Sequence, residues 1–239
     1  MPPLMIREKT RTVKMIVDLH AHTNFSKDAA DDPEELIKKM IESGVQVFGV
    51  TDHNHWIKGI EKEQNAAIRK LAEKYKDKIK IYCGIELSTR PSWELCDFSV
   101  PKAYDYALIE NVDEAESVTG GDLFGYAEKV GIPCGVAHTD LFGYAQKLGV
   151  SAESYFLKMA ERGIFWEMNV NYDSTHGYRE HEYVKRFFAS EEEQKVIRNA
   201  GVYLSVGFDG HRMIDYDVNR VKTACDKIEA LGLNLKTEF

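Results

Sequence analysis

The chain has 239 residues, of which 44% are hydrophobic and 29% are charged, and these values exclude a disordered or low-complexity protein. Its 31 lysines and arginines stand against 39 aspartates and glutamates, a formal net charge of −8, which argues against nucleic-acid binding through overall charge. No apolar run approaches the roughly 18 residues that a membrane-spanning helix needs.

Short apolar runs rich in β-branched residues alternate along the chain with longer amphipathic segments. The apolar runs predict strands at about 15–19, 45–50, 79–87, 105–109, 133–137, 164–169 and 202–206. The first helix is predicted to begin after Asp32, a capping residue that is followed by Pro33 and Glu35. Further helices are predicted at about 60–76, 121–130, 151–162, 178–188, 190–200 and 219–231.

This alternation predicts a parallel sheet, because parallel neighbouring strands need a crossover connection. Most of the strand runs are apolar throughout, as expected of strands that are covered on both faces. An open doubly wound sheet and a closed barrel both fit the pattern. The sequence contains no repeat and no linker-like stretch, so residues 1–239 are interpreted as a single α/β domain, with residues 1–14 as an N-terminal extension.

The four cysteines, Cys83, Cys96, Cys134 and Cys225, lie far apart in the sequence and form no Cys-x-x-Cys pair. A disulfide framework would need denser cysteines, so we interpret them as free thiols in a reducing compartment. The N-terminal residues include no apolar stretch long enough for a signal peptide. A cytoplasmic protein is therefore expected.

Histidines and acidic residues recur where the predicted strands end. The C-terminal ends of parallel strands meet on one face of an α/β fold, and active sites are built there. Alternate residues that leave a strand point the same way, so a His-x-His spacing suits one metal ion. Imidazole and carboxylate ligands without thiolates suit Zn²⁺, Mn²⁺ or Fe, and the number of candidates predicts two or three divalent ions. These candidate ligands are His20, His22, His53, Glu86, His138, Asp209 and His211.

The motifs DLHAHTNFS, PEELI, VTDHN, GIELS, VAHTD and SVGFDGH follow one another from about Met15 to Leu231. Together they resemble the PHP family, the polymerase and histidinol phosphatase superfamily of metal-dependent phosphoesterases. The resemblance implies a distorted (β/α)7 TIM-like barrel with a metal site at the C-terminal ends of its strands. The form FSKD, which ends at Asp28, resembles the histidinol-phosphatase-like members.

The resemblance also implies sets of metal ligands, carried over by position. One ion would be bound by His20, His22, Glu86 and Asp209. A second would be bound by Asp28, His53 and His211. A third would be bound by Glu86, His138 and Asp113, which stands where the family has a histidine.

Several of these residues have alternative interpretations. Asp113 is equally typical of a plain loop acid. Asp52 and Asp140 either orient a metal-bound imidazole or make local capping contacts. Taken singly, His55, His176 and His181 are more typical of structural or surface positions. The candidate catalytic residues are His53, Asp209 and His211.

The candidate substrate-binding residues are His176, Lys147 and Arg179. Histidinol-phosphatase-like members hold the phosphate with arginines, and the positions that match here are Lys147 and Asn171. Lysine lacks the bidentate fork of arginine but still supplies a positive charge. Trp56 either stacks on a substrate ring or closes the mouth of the barrel.

The sequence therefore predicts a metal-dependent phosphoric ester hydrolase, in which a metal-bound hydroxide cleaves a small-molecule phosphate monoester. Histidinol phosphate is one candidate substrate, and a nucleotide or another phosphoester is an alternative within the same family. Two other classes remain open, namely an amidohydrolase-like C–N hydrolase and a non-catalytic metal-dependent binding module. The expected partner is a small phosphorylated substrate, with no membrane and no stable nucleic-acid partner.

Overall fold

The computed structural model describes residues 15–93 and 97–239, so the predicted extension 1–14 and Cys96 lie outside the described residues. Eight parallel strands form one sheet in chain order. They are β1 (Val17–Asp18), β2 (Val47–Val50), β3 (Lys80–Ser88), β4 (Tyr106–Glu110), β5 (Cys134–Val136), β6 (Phe165–Asn169), β7 (Tyr203–Gly207) and β8 (Asn234–Leu235). The helices around it are α1 (Pro33–Glu42), α2 (Glu61–Tyr75), α3 (Leu123–Val130), α4 (Leu141–Lys147), α5 (Ala152–Glu161), α6 (Glu182–Ala189), α7 (Glu191–Ala200) and α8 (Val218–Ala230).

The sheet curls until its first strand meets its seventh. The backbone N–H of Leu19 donates to the carbonyl of Val206 at 2.8 Å, and that of Asp209 donates to the carbonyl of His20 at 2.8 Å. At its N-terminal end, β7 pairs with β8, where Tyr203 is opposite Asn234. The predicted (β/α)7 TIM-like barrel is therefore confirmed, with β8 as an added two-residue strand.

Local sequence signals explain where most of the helices begin. The side chain of Asp32 accepts hydrogen bonds from the backbone N–H groups of the first turn of α1, as predicted. Helix α4 was not predicted, because its seven residues include Gly143 and are too few to show a clear apolar period. Asp140 caps it by accepting the backbone N–H of Gly143 at 3.0 Å.

Aromatic side chains fill the lower part of the barrel. The ring of Tyr106 stacks on that of Phe239 with centroids 4.2 Å apart, and its hydroxyl donates to the carbonyl of Leu19 at 2.6 Å. Two glycines make room for this ring, because a Cβ at Gly49 would lie 1.9 Å from the Tyr106 hydroxyl and one at Gly84 would lie 2.6 Å from its ring. The polar side chains of the barrel therefore lie above this aromatic layer, at the C-terminal ends of the strands.

The remaining cysteines are consistent with the interpretation as free thiols. Cys83, Cys134 and Cys225 are all unpaired and buried. Burial raises the pKa of each of these thiols to about 12. In the part of the chain that the structure describes, none of the helices is long and apolar enough to cross a membrane.

Candidate metal centre

All eight histidines of the chain come together at the C-terminal end of the barrel. The ring of His22 lies at the middle of this histidine cluster, with its centroid 4.3 Å from those of both His53 and His211. Ring contacts of 4.3–6.1 Å link the cluster into one network. Its members are His20, His22, His53, His55, His138, His176, His181 and His211. The structure therefore unites the strand-end histidines that the sequence placed far apart.

The first predicted ligand set forms a compact group of four donor side chains. The Nε2 atoms of His20 and His22 face each other at 3.1 Å, and they lie 3.4 and 3.1 Å from Oδ1 of Asp209. The two carboxylate oxygens of Glu86 complete the group, with Oε1 at 3.3 Å from His20 Nε2 and Oε2 at 3.4 Å from His22 Nε2. Ligands that surround Zn²⁺ tetrahedrally at about 2.0–2.2 Å are separated from one another by about 3.3–3.6 Å. The spacing of these donors therefore fits a metal ion.

The ring nitrogens on the far side of two histidines are held by the protein. Nδ1 of His20 contacts Oε1 of Glu167 at 2.7 Å, and Nδ1 of His211 contacts the backbone carbonyl of Asp209 at 3.0 Å. Histidines that bind metals usually donate their second ring N–H in this way, which directs the other nitrogen towards the metal. These contacts turn Nε2 of both rings towards the centre of the cluster.

The second predicted ligand set also comes together. Oδ2 of Asp28 lies 3.3 Å from Nε2 of His53 and 3.9 Å from Nε2 of His211. In addition, one ring nitrogen from each of His22, His53 and His211 lies within 4.8 Å of the other two. Burial opposes ionisation of Asp28, but the hydrogen bond and charge of His53 outweigh it, so the pKa of this carboxyl is lowered.

The third predicted set needs a correction. Asp113 is exposed, and its backbone carbonyl accepts from Lys147 outside the cluster. The acid that joins Glu86 and His138 is Glu110, the last residue of β4, and one ligand atom from each of the three can lie within 4.8 Å. Glu110 is on the same face of β4 as Tyr106, four residues earlier, so its side chain enters the barrel. Asp113 lies beyond the end of the strand, where this alternation no longer directs it inwards.

The buried carboxylates of this centre have histidines, rather than lysines or arginines, as their ion-pair partners. Glu86 is completely buried, and Glu110 and Asp209 are only 3% and 4% exposed. Oε1 of Glu110 makes no hydrogen bond, while Oε2 of Glu86 lies 2.9 Å from Nδ1 of His53 without hydrogen-bond geometry. Among the described residues, no lysine or arginine forms an ion pair with these three acids. Their ion-pair partners are imidazoles of the cluster, and acids and imidazoles that face one another in this way form a donor set that bound cations fit.

The charges of the cluster shift the pKa of its members strongly. Burial disfavours the charged form of His20, but Glu167, Asp209 and Glu86 outweigh it and raise its pKa well above the ordinary value. For His22, in contrast, burial and the charges of His211 and His53 together lower the pKa to about 3. These two histidines, which follow β1, therefore differ in their affinity for protons although both face the carboxylate of Asp209.

Asp52 and Asp140 make local contacts rather than contacts with imidazoles. Asp52 accepts hydrogen bonds from the backbone and hydroxyl of Thr23 at 2.7 and 2.9 Å, and from Gln64 at 2.8 Å. It anchors the loop that leads from His22 to Asp28. Asp140 caps α4 and pairs with Arg186 at 2.6 Å. The capping interpretation therefore holds for Asp140, and Asp52 acts on a loop.

The predicted substrate-binding residues are divided by the structure. His176 is half-buried, with Nδ1 2.7 Å from Oδ1 of Asp173 and Nε2 3.5 Å from Oδ2 of Asp209. Asn171 also reaches Asp209, at 3.4 Å. Lys147 is exposed and bound to the carbonyl of Asp113, and Arg179 is exposed on the loop before α6. The structure brings only His176 of the three candidates to the centre.

Indole rings stand at one side of the mouth. The indole N–H of Trp56 donates to Oδ2 of Asp28 at 3.1 Å, and the ammonium of Lys27 lies 4.9 Å from its ring centroid. The ring of His55 is packed between Trp56 and Trp93, with centroids 4.7 and 4.3 Å away. Burial lowers the pKa of His55 to about 4. Trp56 thus packs at the mouth of the barrel and fixes a predicted ligand.

Sequence reasoning missed two acids at the centre, Glu110 and Glu167. Both are buried, and each lies in a strand whose other members are mostly apolar. A charged side chain inside such a run was the available signal, since acids are almost never fully buried unless they are paired.

Comparison with known proteins identifies relatives by sequence profile and by fold. The profile of the PHP domain family matches residues 18–211. No curated protein matches the chain by sequence.

Among solved structures, histidinol phosphate phosphatase (HISK) from Lactococcus lactis subsp. lactis Il1403, complexed with Zn, L-histidinol and phosphate, superimposes with a TM-score of 0.60 at 16% identity. The match covers 94% of this chain and 97% of that one. The hisK protein of Listeria monocytogenes has a TM-score of 0.45 at 14% identity, over 83% of this chain and 96% of that one. N-isopropylammelide isopropylaminohydrolase from Burkholderia multivorans has a TM-score of 0.48 at 13% identity, over 83% and 59%. At 16% identity, the likeness to the Lactococcus lactis protein shows the fold alone.

Proposed function

The chain belongs to the PHP family, and from this premise we propose that it is a metal-dependent phosphoesterase that hydrolyses a small phosphate monoester. The observation that carries the proposal is the group formed by His20, His22, Glu86 and Asp209. In it the Nε2 atoms of His20 and His22 lie 3.1 Å apart, and each lies 3.1–3.4 Å from an oxygen of Asp209 and of Glu86, as metal ligands do. The buried carboxylates of Glu86, Glu110 and Asp209, which face the imidazoles of the cluster, support the same conclusion. Two or three divalent ions, of Zn, Mn or Fe, suit these donors.

The residues that would hold the ions fall into three overlapping groups. The first comprises His20, His22, Glu86 and Asp209. The second comprises Asp28, His53 and His211. The third comprises Glu86, Glu110 and His138. Ions bound there would supply Lewis-acid polarisation of the phosphoryl group and activation of water at neutral pH.

The protein itself would bind and orient the substrate at this centre. His176 is held by Asp173 through Nδ1, and its Nε2 is turned towards the centre. With 30% of its side chain exposed, this ring lies between the buried ligands and solvent. We therefore assign the contact with the substrate phosphate or leaving group to His176. His53, Asp209 and His211 would serve as the catalytic set by holding the ions that act on the phosphoryl group.

Histidinol phosphate is the first substrate to test. The Lactococcus lactis protein of the same fold was crystallised with zinc, L-histidinol and phosphate. The negative net charge of the chain disfavours long nucleic acids as substrates. A small phosphate monoester would instead be held locally by the bound metal ions.

The test is phosphate release by protein reconstituted with Zn²⁺ or Mn²⁺, measured across histidinol phosphate, nucleoside monophosphates and aryl phosphates. We expect metal-dependent release that is lost in His53→Ala and kept in Asp113→Asn, the matched control outside the cluster. Absence of release with metal demonstrably bound would contradict the proposal and favour a C–N hydrolase or a binding module. Wild-type turnover by His53→Ala would contradict the assigned site.

A further inference from the structure

The end of β6 carries three polar side chains at alternate positions, Glu167, Asn169 and Asn171. They are buried, with 1% exposure each. Alternate residues of a strand share one face, so all three point into the barrel towards the predicted ligands. None of them is a predicted ligand, and each contacts a residue that is.

Glu167 uses both of its oxygens below the centre. Oε1 contacts Nδ1 of His20 at 2.7 Å, while Oε2 accepts the backbone N–H of His138 at 2.8 Å and the amide of Asn169 at 3.3 Å. Space for this arrangement depends on Gly207, because a Cβ there would lie 2.0 Å from Oε1 of Glu167 and 2.5 Å from Cβ of His20. One acid therefore joins the ends of β1, β5 and β6.

The two asparagines act on the opposite side of the same ligand group. Asn169 and Asn171 donate from Nδ2 to Oδ2 of Asp209, at 3.2 and 3.4 Å. Oδ1 of Asp209 is the oxygen that faces His20 and His22. The carboxylate is thus held with one oxygen towards the histidines and the other towards the amides. Amide donors on Oδ2 also oppose rotation that would present both oxygens to one ion.

We propose that Glu167, Asn169 and Asn171 are positioning residues that set the metal affinity of the centre by fixing His20 and Asp209. The inference rests on the proposed function, because it takes the group of His20 and Asp209 to be the metal site. Outer partners of metal ligands typically change metal affinity by about 10–100-fold when they are removed. An effect of that size is expected here.

Asn169 allows a test that separates positioning from packing. Asn169→Leu keeps the branching of the side chain at Cγ but removes both donated hydrogen bonds. Asn169→Asp keeps the shape and places a carboxylate beside Asp209 and Glu167. Asn65→Leu is the control, because this asparagine lies on α2 and donates to Cys83 and Ala103, away from the centre.

The measurement is the Co²⁺ dissociation constant of each protein by chelator competition, together with the visible absorption spectrum of bound Co²⁺, which reports coordination geometry. We expect affinity to fall about 10–100-fold in Asn169→Leu, at least as far in Asn169→Asp, with altered spectra in both, and to stay at the wild-type value in Asn65→Leu. Circular dichroism of the metal-free variants establishes that they fold.

Two outcomes would overturn the inference in different ways. Wild-type affinity and spectrum in folded Asn169→Leu and Asn169→Asp would show that β6 does not position the ligands, while leaving the metal centre in place. Failure of the wild-type protein to bind Co²⁺ would overturn the proposed function as well. Tighter binding in Asn169→Asp would show that position 169 supplies a ligand, contrary to the positioning role.

Discussion

Replacement of Glu110 by glutamine should stabilise the metal-free protein at alkaline pH and weaken its response to metal. Burial, together with the neighbouring charge of Glu86, raises the pKa of the Glu110 carboxyl to about 7 in the absence of metal, against the opposing effect of His53 and His138. The group is therefore protonated in the folded protein over a range in which it is ionised in the unfolded chain. The ordinary pKa of the glutamate carboxyl, taken for the unfolded state, is 4.5.

The size and sign of the effect follow from these two values. A pKa raised on folding gives stability that is complete below about pH 4.5 and is lost as pH rises through about 7. The loss on moving from pH 4.5 to above pH 7 amounts to about 3 kcal/mol, at roughly 1.4 kcal/mol per pH unit. A glutamine side chain at this position would carry no charge at any pH. The variant should therefore lose less stability with rising pH than the wild type, and by pH 9 should exceed it by up to about 3 kcal/mol.

The assay is urea unfolding in the presence of a chelator at pH 5 and pH 9, followed by the change in melting temperature on adding Zn²⁺ or Mn²⁺. Glu110→Gln should gain relative stability at pH 9, and its metal-induced rise in melting temperature should be smaller than that of the wild type. Asp113→Asn, an exposed acid three residues away, should match the wild type in both. An equal loss of stability at both pH values, or an undiminished response to metal in Glu110→Gln, would refute the reasoning.

Three further predictions follow from the same structure. Metal at about 1,000 times its dissociation constant stabilises the folded protein by about 4 kcal/mol per site, so removing it with a chelator should lower the melting temperature by roughly 8–16 °C per site. Calorimetry with and without chelator tests this, and an unchanged midpoint would contradict it. Gly207→Ala should reduce Co²⁺ affinity about 10-fold or more, because the new Cβ displaces Glu167 from His20. Wild-type Co²⁺ affinity in this variant would show that the contact between Glu167 and His20 is dispensable for metal binding. Cys83, Cys134 and Cys225 should react with a thiol reagent at pH 8 only on unfolding, because a pKa of about 12 leaves only about one thiol group in 10⁴ ionised. Mass spectrometry locates the modified cysteines, and rapid reaction of these three in the native protein would contradict their burial.

The strand-end motifs by themselves determined the class of fold and most of the candidate centre. His20 and His22 follow β1, His53 follows β2, and Asp209 and His211 follow β7. Because parallel strands point the same way, residues that follow their C-terminal ends must share one face, whatever the distance between them in the chain. This local rule is sufficient to predict that these groups meet, and the structure brings them within ligand distance.

The identity of the acid after β4 was decided only by the tertiary structure. Both Glu110 and Asp113 lie near the end of that strand. The family resemblance implied Asp113 as a ligand, with a plain loop acid as the equal alternative. The alternation of side chains within β4 directs Glu110 into the barrel beside Tyr106, whereas Asp113 stands three residues beyond the strand on the surface. A boundary error of one or two residues reverses such an assignment, because successive side chains on a strand point to opposite faces.

The support beneath the ligands was likewise invisible in the sequence. Glu167 reaches His20 across 147 positions of chain, and Asn169 reaches Asp209 across 40. These contacts exist because the sheet closes, which places β6 and β7 beside β1, and because Gly207 leaves space between them. The motifs thus determined which groups would meet, while barrel closure and side-chain packing determined which neighbours hold them in place.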